Sequence, residues 1–493
     1  MAAKDFIVAI ELGSSKITGI AGKKSMDGSI QVLAVVREDA TSCIRKGVVY
    51  NIDKTSVCLT NIIKKLKTLL KSEISQVYVG VGGQSIRSLR NVIVKTLPDD
   101  TIIAQDMINE LMDNNRSMSY PDLEILDAAT QEYKVGTQYQ IDPVGIQSNK
   151  IEGNFLNILC RKSFYRNLNK CFENAKIAIA EMYLAPIALA QSVLTEAEKR
   201  SGCMLVDLGA DTTTVSVYYK NILRHLVVIP LGGNNITKDI ASLQMEDSEA
   251  ELMKINHASA FTENNEIEPD KTIAIDSERS VNMQEFVDLV EARVNEIIQN
   301  VWYQVPQEYN DKLLGGIILT GGGSNMKNIK KAFSNITKIQ KVRIANTVIQ
   351  NVTSTDKDIN ARNGTMNTII GLLARGDMNC AGSAINPGGD LFSTTSTTST
   401  TNTTTDIHSK PRKPSEIGGS GVVMTEAEKK RIEEENRRLA DEEARRQKAL
   451  DEERKQRERE ERNKNGIFTR LGSSLKDFAR RMVSEEPEED DKR

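Results

Sequence analysis

Two segments of the chain repeat one arrangement of residues suited to gripping phosphate. Residues 6–21 read FIVAIELGSSKITGIA, and residues 203–218 read CMLVDLGADTTTVSVY. In each, an apolar strand runs into an acid, one residue, a glycine and a small polar turn before a second strand leaves. Glu11 corresponds to Asp207, Gly13 to Gly209 and Thr18 to Thr214. Gly13, Ser14, Ser15 and Lys16 offer close backbone approach, hydroxyl donors and a point charge, and successive N–H groups can cup an anion. Gly209, Ala210, Asp211, Thr212 and Thr213 offer the same from a second loop. Asp207, at a strand end, is placed to hold magnesium through waters, because that ion keeps several waters and takes only one or two carboxylates. A strand followed by Gly-Ser-Ser is also an ordinary hairpin; the second copy is what argues for two jaws on one phosphate chain.

A third cluster, Gly321-Gly322-Gly323, follows the apolar stretch LLGGIIL. Glycines there remove side chains, so a flat ring can lie against the backbone, although a tight strand-to-helix turn needs them too. Gly232-Gly233 closes another strand, and Glu251 and Lys254 follow on a predicted helix. Glu251 is suited to accept from ribose hydroxyls, and the Lys254 stem to pack on a base. The same spacing also makes an ordinary surface i,i+3 pair.

The elements that must position these loops come in two similar sets. The first has strands 6–13, 16–23 and 31–37, a helix over about 53–71, and strand 76–81 ending in Gly82-Gly83. The second has strands 203–208, 212–219, 222–229 and 314–320. Each half therefore reads as a three-stranded meander followed by helix-linked strands, an α/β arrangement with helices covering a mixed sheet. Between them, about 84–162 holds strand-like runs RNVIVKTL, QEYKVGTQYQID and GNFLNILC and a helix over about 104–115.

Bulk composition narrows the function. The chain has 493 residues, enough for about three domains, 39% apolar residues and a net charge of −3, which does not suggest a nucleic-acid binder. Its six cysteines include no CxxC pair and its three histidines are isolated. Neither a disulfide framework nor a zinc or histidine metal centre is expected, and a reducing cytoplasm fits. MAAKDFIVAI has no long apolar run, so no signal peptide is expected, nor is a spanning helix anywhere.

Composition changes after Gly376. Residues 393–405 read STTSTTSTTNTTT, so 379–424 is expected to be a flexible linker. Residues 425–464 are dominated by Glu, Lys and Arg at helical i,i+4 spacing, with too few apolar residues for a coiled-coil seam. A solvated helical spacer reaching ~55 Å is expected. In 465–483, Ile467, Phe468, Leu471, Leu475, Phe478, Met482 and Val483 fall on one helical face, with Arg470, Lys476, Arg480 and Arg481 around it. That is the pattern of an interfacial helix, with apolar residues at the acyl boundary and bases on anionic headgroups. Docking on protein is the other reading, but a lone terminal helix behind a linker has no core of its own to join. An acidic tail, 484–493, ends the chain.

The order and spacing of these motifs resemble the actin/Hsp70/sugar-kinase superfamily. Glu11–Lys16 looks like its first phosphate motif, Asp207–Thr213 its second and Leu319–Ser324 its adenosine motif. Residues 185–195 and 363–371 look like its two connecting helices. The small insert, IDPVG at 141–145, VLTEAEKRSG at 193–202, VIPLGGNNITKDIA at 228–241, AELMK at 250–254 and EARVNEII at 291–298 resemble the FtsA family of bacterial cell division. The resemblance covers 5 to about 377. It implies an actin-like fold of two related RNase H-like halves around a nucleotide cleft. Subdomain 1A would comprise 1–83, 163–200 and 356–378; inserted 1C, 84–162; 2A, 201–241 and 311–355; and 2B, 242–310.

It further implies ATP and magnesium as cofactors, slow hydrolysis at most, and self-association into filaments. By the same resemblance, the protein would sit at the division septum on the cytoplasmic face of the inner membrane. Its partners would be FtsZ, docking on 242–310, the anionic membrane surface and later division proteins. The helix with Glu291, Arg293 and Glu296 is a candidate partner surface, with Arg293 its central charge. The chain departs from the family at Asp211, where relatives often carry glycine; a carboxylate there is expected to weaken binding or slow hydrolysis. The charged spacer is also longer than expected. Rival readings are a small-molecule kinase or phosphatase of the same fold, which would need a second substrate pocket and a general base, and a pilus-assembly actin homologue.

Overall fold

The computed structural model describes residues 5–263 and 271–382. Two sheets share one plan. In the first, the strands lie in the order Ile179–Leu184, Val77–Val81, Ile7–Leu12, Lys16–Lys24, Ile30–Asp39, with Val352–Thr353 at the edge. In the second the matching order is Val342–Ile344, Gly316–Thr320, Cys203–Leu208, Thr213–Tyr219, Ile222–Ile229. Each half begins as an antiparallel meander, and its first strand then pairs in parallel with a later one. Those first strands are covered on both faces, so they carry near-continuous apolar runs: Val8, Ala9, Ile10, Met204 and Val206 are fully buried.

The helices follow from their own sequences. Ile52–Leu70 starts at Asn51, whose side chain accepts from the Lys54 N–H, a Ncap contact for an otherwise unpaired donor. Leu59, Ile62, Leu66 and Leu70 form its buried stripe. Helices Ala185–Val193 and Asn367–Arg375 lie against each other as the two connectors. Gly371 permits this: a Cβ there would stand 2.8 Å from the Ala188 carbonyl oxygen.

The insert departs from the expected layout. QEYKVGTQYQID is not one strand. Leu123–Val135 is, and the chain then reverses at Gly136 (φ +59°) so that Val135 faces Gln138 in the short strand Gln138–Gln140. Strand Ile179–Leu184 was not expected, and the second connecting helix spans Asn367–Arg375 rather than 363–371. The insert's sheet also continues the sheet of the second half. Arg87 pairs with Val227, the Val228 N–H donates to the Ile86 carbonyl at 3.1 Å, and the Leu226 N–H donates to Ser88 Oγ at 2.8 Å. An insertion in the first half's sequence is thus stitched to the second half's edge strand.

The packed chain continues past Gly376 to Cys380, which is fully buried; its N–H donates to the Phe6 carbonyl and its carbonyl accepts from the Ser75 N–H. The remainder of the expected linker, the charged spacer, the interfacial helix with Ile467 to Arg481, and the acidic tail lie outside the described residues. Among the described residues no helix is long and apolar enough to cross a membrane.

Candidate functional site

The two glycine loops adopt the same turn. In the first, Leu12 pairs with Ile17 and Glu11 with Thr18, and the Gly13 N–H donates to the Lys16 carbonyl at 3.1 Å. In the second, Leu208 pairs with Thr213 and Asp207 with Thr214, and the Gly209 N–H donates to the Thr212 carbonyl at 2.9 Å. A Cβ on Gly13 would stand 2.8 Å from the Lys16 carbonyl oxygen; a Cβ on Gly209 would stand 2.8 Å from that of Thr212. The repeated glycines are therefore steric requirements of one turn made twice.

The acids that precede the loops face a common space. Burial raises the Glu11 carboxyl to about 7, neighbouring Asp207 adds to the rise, and Lys16 opposes it. Burial raises Asp207 to about 6. Two half-buried carboxylates, with Asp207 disfavouring the charge on Glu11, form a site that a hydrated divalent cation would relieve. Among the described residues no group of three or more His, Cys, Asp or Glu could cage a metal directly, so a magnesium ion would have to keep most of its waters, as it tends to.

The other glycine clusters support the second loop from below and behind. The Gly233 N–H donates to the Gly209 carbonyl at 2.9 Å and the Asn234 N–H to the Ala210 carbonyl at 2.7 Å. A Cβ on Gly232 would stand 2.5 Å from the Ala210 carbonyl oxygen. Gly321 has φ +80°, and a Cβ there would stand 2.4 Å from Asp207 Oδ1; Gly323 abuts Leu208, and Gly322 is exposed. Gly232, Gly233, Gly323 and Met326 border an apolar pocket backed by Leu208, Ile236, Val294, Ile298 and Phe333. Its surface is backbone and apolar side chain.

Not every expected residue is free to meet a ligand. Thr213 is buried, and its hydroxyl donates to the Leu231 carbonyl at 2.9 Å, tying the loop to the segment between strand Ile222–Ile229 and Gly232. The Ser14 hydroxyl accepts from the Gly47 N–H at 2.8 Å, whereas Ser15 is exposed. The Lys254 ammonium donates to the Gly233 carbonyl (3.1 Å), Thr237 Oγ1 (2.8 Å) and Glu251 Oε2 (2.6 Å). Glu251 and Lys254 thus come together, and they anchor the helix that opens at Gly233. Arg293 pairs with Asp239, Nη2 to Oδ1 at 3.0 Å, and with Glu296. It joins helix Met283–Tyr303 to helix Gly233–Ala241. The sequence reading missed the Lys46-Gly47 turn and Asn234, both of which contact the loops.

Comparison with known proteins bears on the family and the fold. Residues 204–371 match the family described as cell division protein FtsA, and residues 83–159 match the SHS2 domain inserted in FtsA. The cell division protein FtsA of Porphyromonas gingivalis is 33% identical over 334 residues, 66% of this chain and 70% of that protein. FtsA of Neisseria meningitidis is 30% identical over 332 residues, 66% of this chain and 80% of that one. Among solved structures, the PilM–PilN type IV pilus biogenesis complex contains a chain similar in fold, with a TM-score of 0.52 at 14% identity, covering 75% of this chain and 98% of that one.

Proposed function

The chain belongs to the FtsA family of cell division proteins, and from that premise we propose that it binds MgATP between its halves and assembles with copies of itself into actin-like filaments. In this reading it holds FtsZ at the cytoplasmic face of the membrane, at the division septum, through its C-terminal amphipathic residues. The observation that carries the nucleotide part is the duplicated turn, with Gly13 and Gly209 under the same steric demand and Glu11 and Asp207 beside them.

Gly13, Ser14 and Lys16 would hold the phosphates from one half, and Gly209 and Thr212 from the other. Asp207 would hold magnesium through water, where the ion would neutralise phosphate oxygens. Gly321–Gly323 and the pocket beside Gly232-Gly233 would take the base, with Glu251 and Lys254 fixing the neighbouring helix start. The FtsZ tail would dock on about 242–310. There Arg293 would act as part of an ion-paired cluster with Asp239 and Glu296 rather than as a loose charge. Ile467, Phe468, Leu471, Leu475, Phe478 and Met482 would enter the lipid while Arg470, Lys476, Arg480 and Arg481 meet its headgroups.

Flotation of the protein with anionic liposomes and FtsZ, with and without MgATP, tests the reading. Deleting 466–493 should release both proteins from the vesicles. A truncated protein that still floats would sink the membrane assignment, and failure to retain FtsZ would sink the adaptor role.

A further inference from the structure

The two loops differ in charge at matched positions. Four residues span each turn, so Gly13-Ser14-Ser15-Lys16 aligns with Gly209-Ala210-Asp211-Thr212. The first loop carries a cation and the second an anion. Asp211 also reaches across to the other half. Lys46 (φ +50°) and Gly47 (φ +72°) form a left-handed turn that presents two consecutive N–H groups. The Lys46 N–H donates to Asp211 Oδ2 at 3.0 Å, and the Gly47 N–H donates to Ser14 Oγ at 2.8 Å. Asp211 Oδ1 accepts from Asn234 Nδ2 at 2.7 Å. Consecutive N–H groups in such a turn make an anion-binding concavity; here a side-chain carboxylate and a hydroxyl occupy it.

The turn has little room to retreat. The Gln84 N–H donates to the Lys46 carbonyl at 3.0 Å, and a Cβ on Gly47 would stand 2.7 Å from Gly83 Cα. Asp211 is therefore fixed beside Ser14, one amide away, in the gap between the loops. These hydrogen-bond partners, a backbone N–H and a carboxamide, are neutral, so they orient the carboxylate without cancelling its charge. With a base at the Gly321–Gly323 end, the far end of a phosphate chain is the part that would reach this gap.

We propose that Asp211 is a specificity-determining residue of the nucleotide site, setting by charge a bias against nucleoside triphosphate relative to diphosphate. The proposal rests on the nucleotide reading above. The terminal phosphate adds negative charge where the carboxylate already sits, and like charges placed that close repel. The diphosphate leaves that gap to Asp211.

Titration calorimetry of the full-length protein with MgATP and MgADP tests this. Asp211→Asn keeps the shape and removes the charge; its Oδ1 still accepts from the Lys46 N–H, and its Nδ2 donates to Asn234 Oδ1 once that carboxamide turns over. It should tighten MgATP about tenfold and MgADP less than threefold. Asn234→Asp places a second carboxylate against the first and should weaken MgATP more than MgADP, so either variant decides the matter if the other does not fold. Equal factors for both nucleotides, or no change in either, would overturn the proposal while leaving the nucleotide site intact. A wild-type protein that binds neither nucleotide would instead overturn the site reading, and this proposal with it.

Discussion

Arg224 Nη2 lies 3.0 Å from Glu132 Oε1, joining strand Ile222–Ile229 of the second half to strand Leu123–Val135 of the insert. The side chains are 7% and 23% exposed. Arg90 adds a second tie, donating to the Tyr309 hydroxyl at 2.7 Å and pairing with Glu308. Together with the Arg87–Val227 strand pair, these contacts make the insert part of the second half's sheet.

Glu132→Ala should therefore be costly. It leaves a buried guanidinium short of a partner, a change that typically costs about 3 kcal/mol. The double variant Arg224→Met, Glu132→Leu should recover most of that loss, since an apolar pair can replace a buried ion pair at little cost. Urea unfolding of the three proteins checks both. A loss under 1 kcal/mol for Glu132→Ala would mean that water already serves the arginine.

The duplicated turn makes an unusually direct comparison available. Gly13→Ala and Gly209→Ala each push a methyl to 2.8 Å from a carbonyl oxygen of the same turn. Each should reduce MgATP affinity at least tenfold, measured by calorimetry, because each reshapes one jaw. If one variant binds normally, the loops do not act as a pair.

The loops were legible in the sequence because glycine, an acid and a pair of apolar strands are local signals, and they occurred twice. The three-stranded meander of each half followed from the same pattern; the outer strands Ile179–Leu184 and Val342–Ile344 did not. The join between insert and second half was not legible: it rests on Ser88, Arg87 and Val227, which are far apart in the chain and ordinary in type. The surroundings of the Lys254 ammonium were not legible either. Its spacing from Glu251 announced a pair, but nothing local disclosed that Gly233 and Thr237 would complete the ammonium's shell. The turn at Lys46-Gly47 stayed hidden for the same reason, since its partners Asp211 and Ser14 come from two different halves.

Glu11 and Asp207 should make stability depend on pH. In an unfolded chain these carboxyls release protons at the ordinary 4.5 and 3.8; in the folded chain they do so at about 7 and about 6. Between those values the folded state binds more protons than the unfolded one, so stability falls as pH rises. The contribution is present below about pH 4 and lost by the time pH passes about 7. Thermal unfolding from pH 5 to 8 should show this slope, and Glu11→Gln should flatten it. Magnesium chloride should raise the midpoint more at pH 8 than at pH 5, because the ion competes with protons for the same pair. A slope unchanged in Glu11→Gln would mean that the pair is not its source.

The crossing of the two connecting helices yields the last prediction. Gly371 faces the Ala188 carbonyl oxygen at 2.8 Å and Ser192 Oγ at 2.9 Å from where its Cβ would stand. Gly371→Ala must therefore part the helices by a few tenths of an ångström or strain both. Overpacking of this kind costs about 1–3 kcal/mol, set against a gain of up to 1 kcal/mol from replacing glycine in a helix. The net change should be destabilising. Adding Ser192→Ala should not rescue it, because the nearer obstacle is backbone and cannot be trimmed. The same wedge would alter how the halves meet, so MgATP affinity should fall in Gly371→Ala even though the residue lies away from the loops. Calorimetry on that variant, with Ser192→Ala alone as the reference, separates the two effects. Rescue by Ser192→Ala would place the conflict at the hydroxyl and remove the helix crossing as its cause.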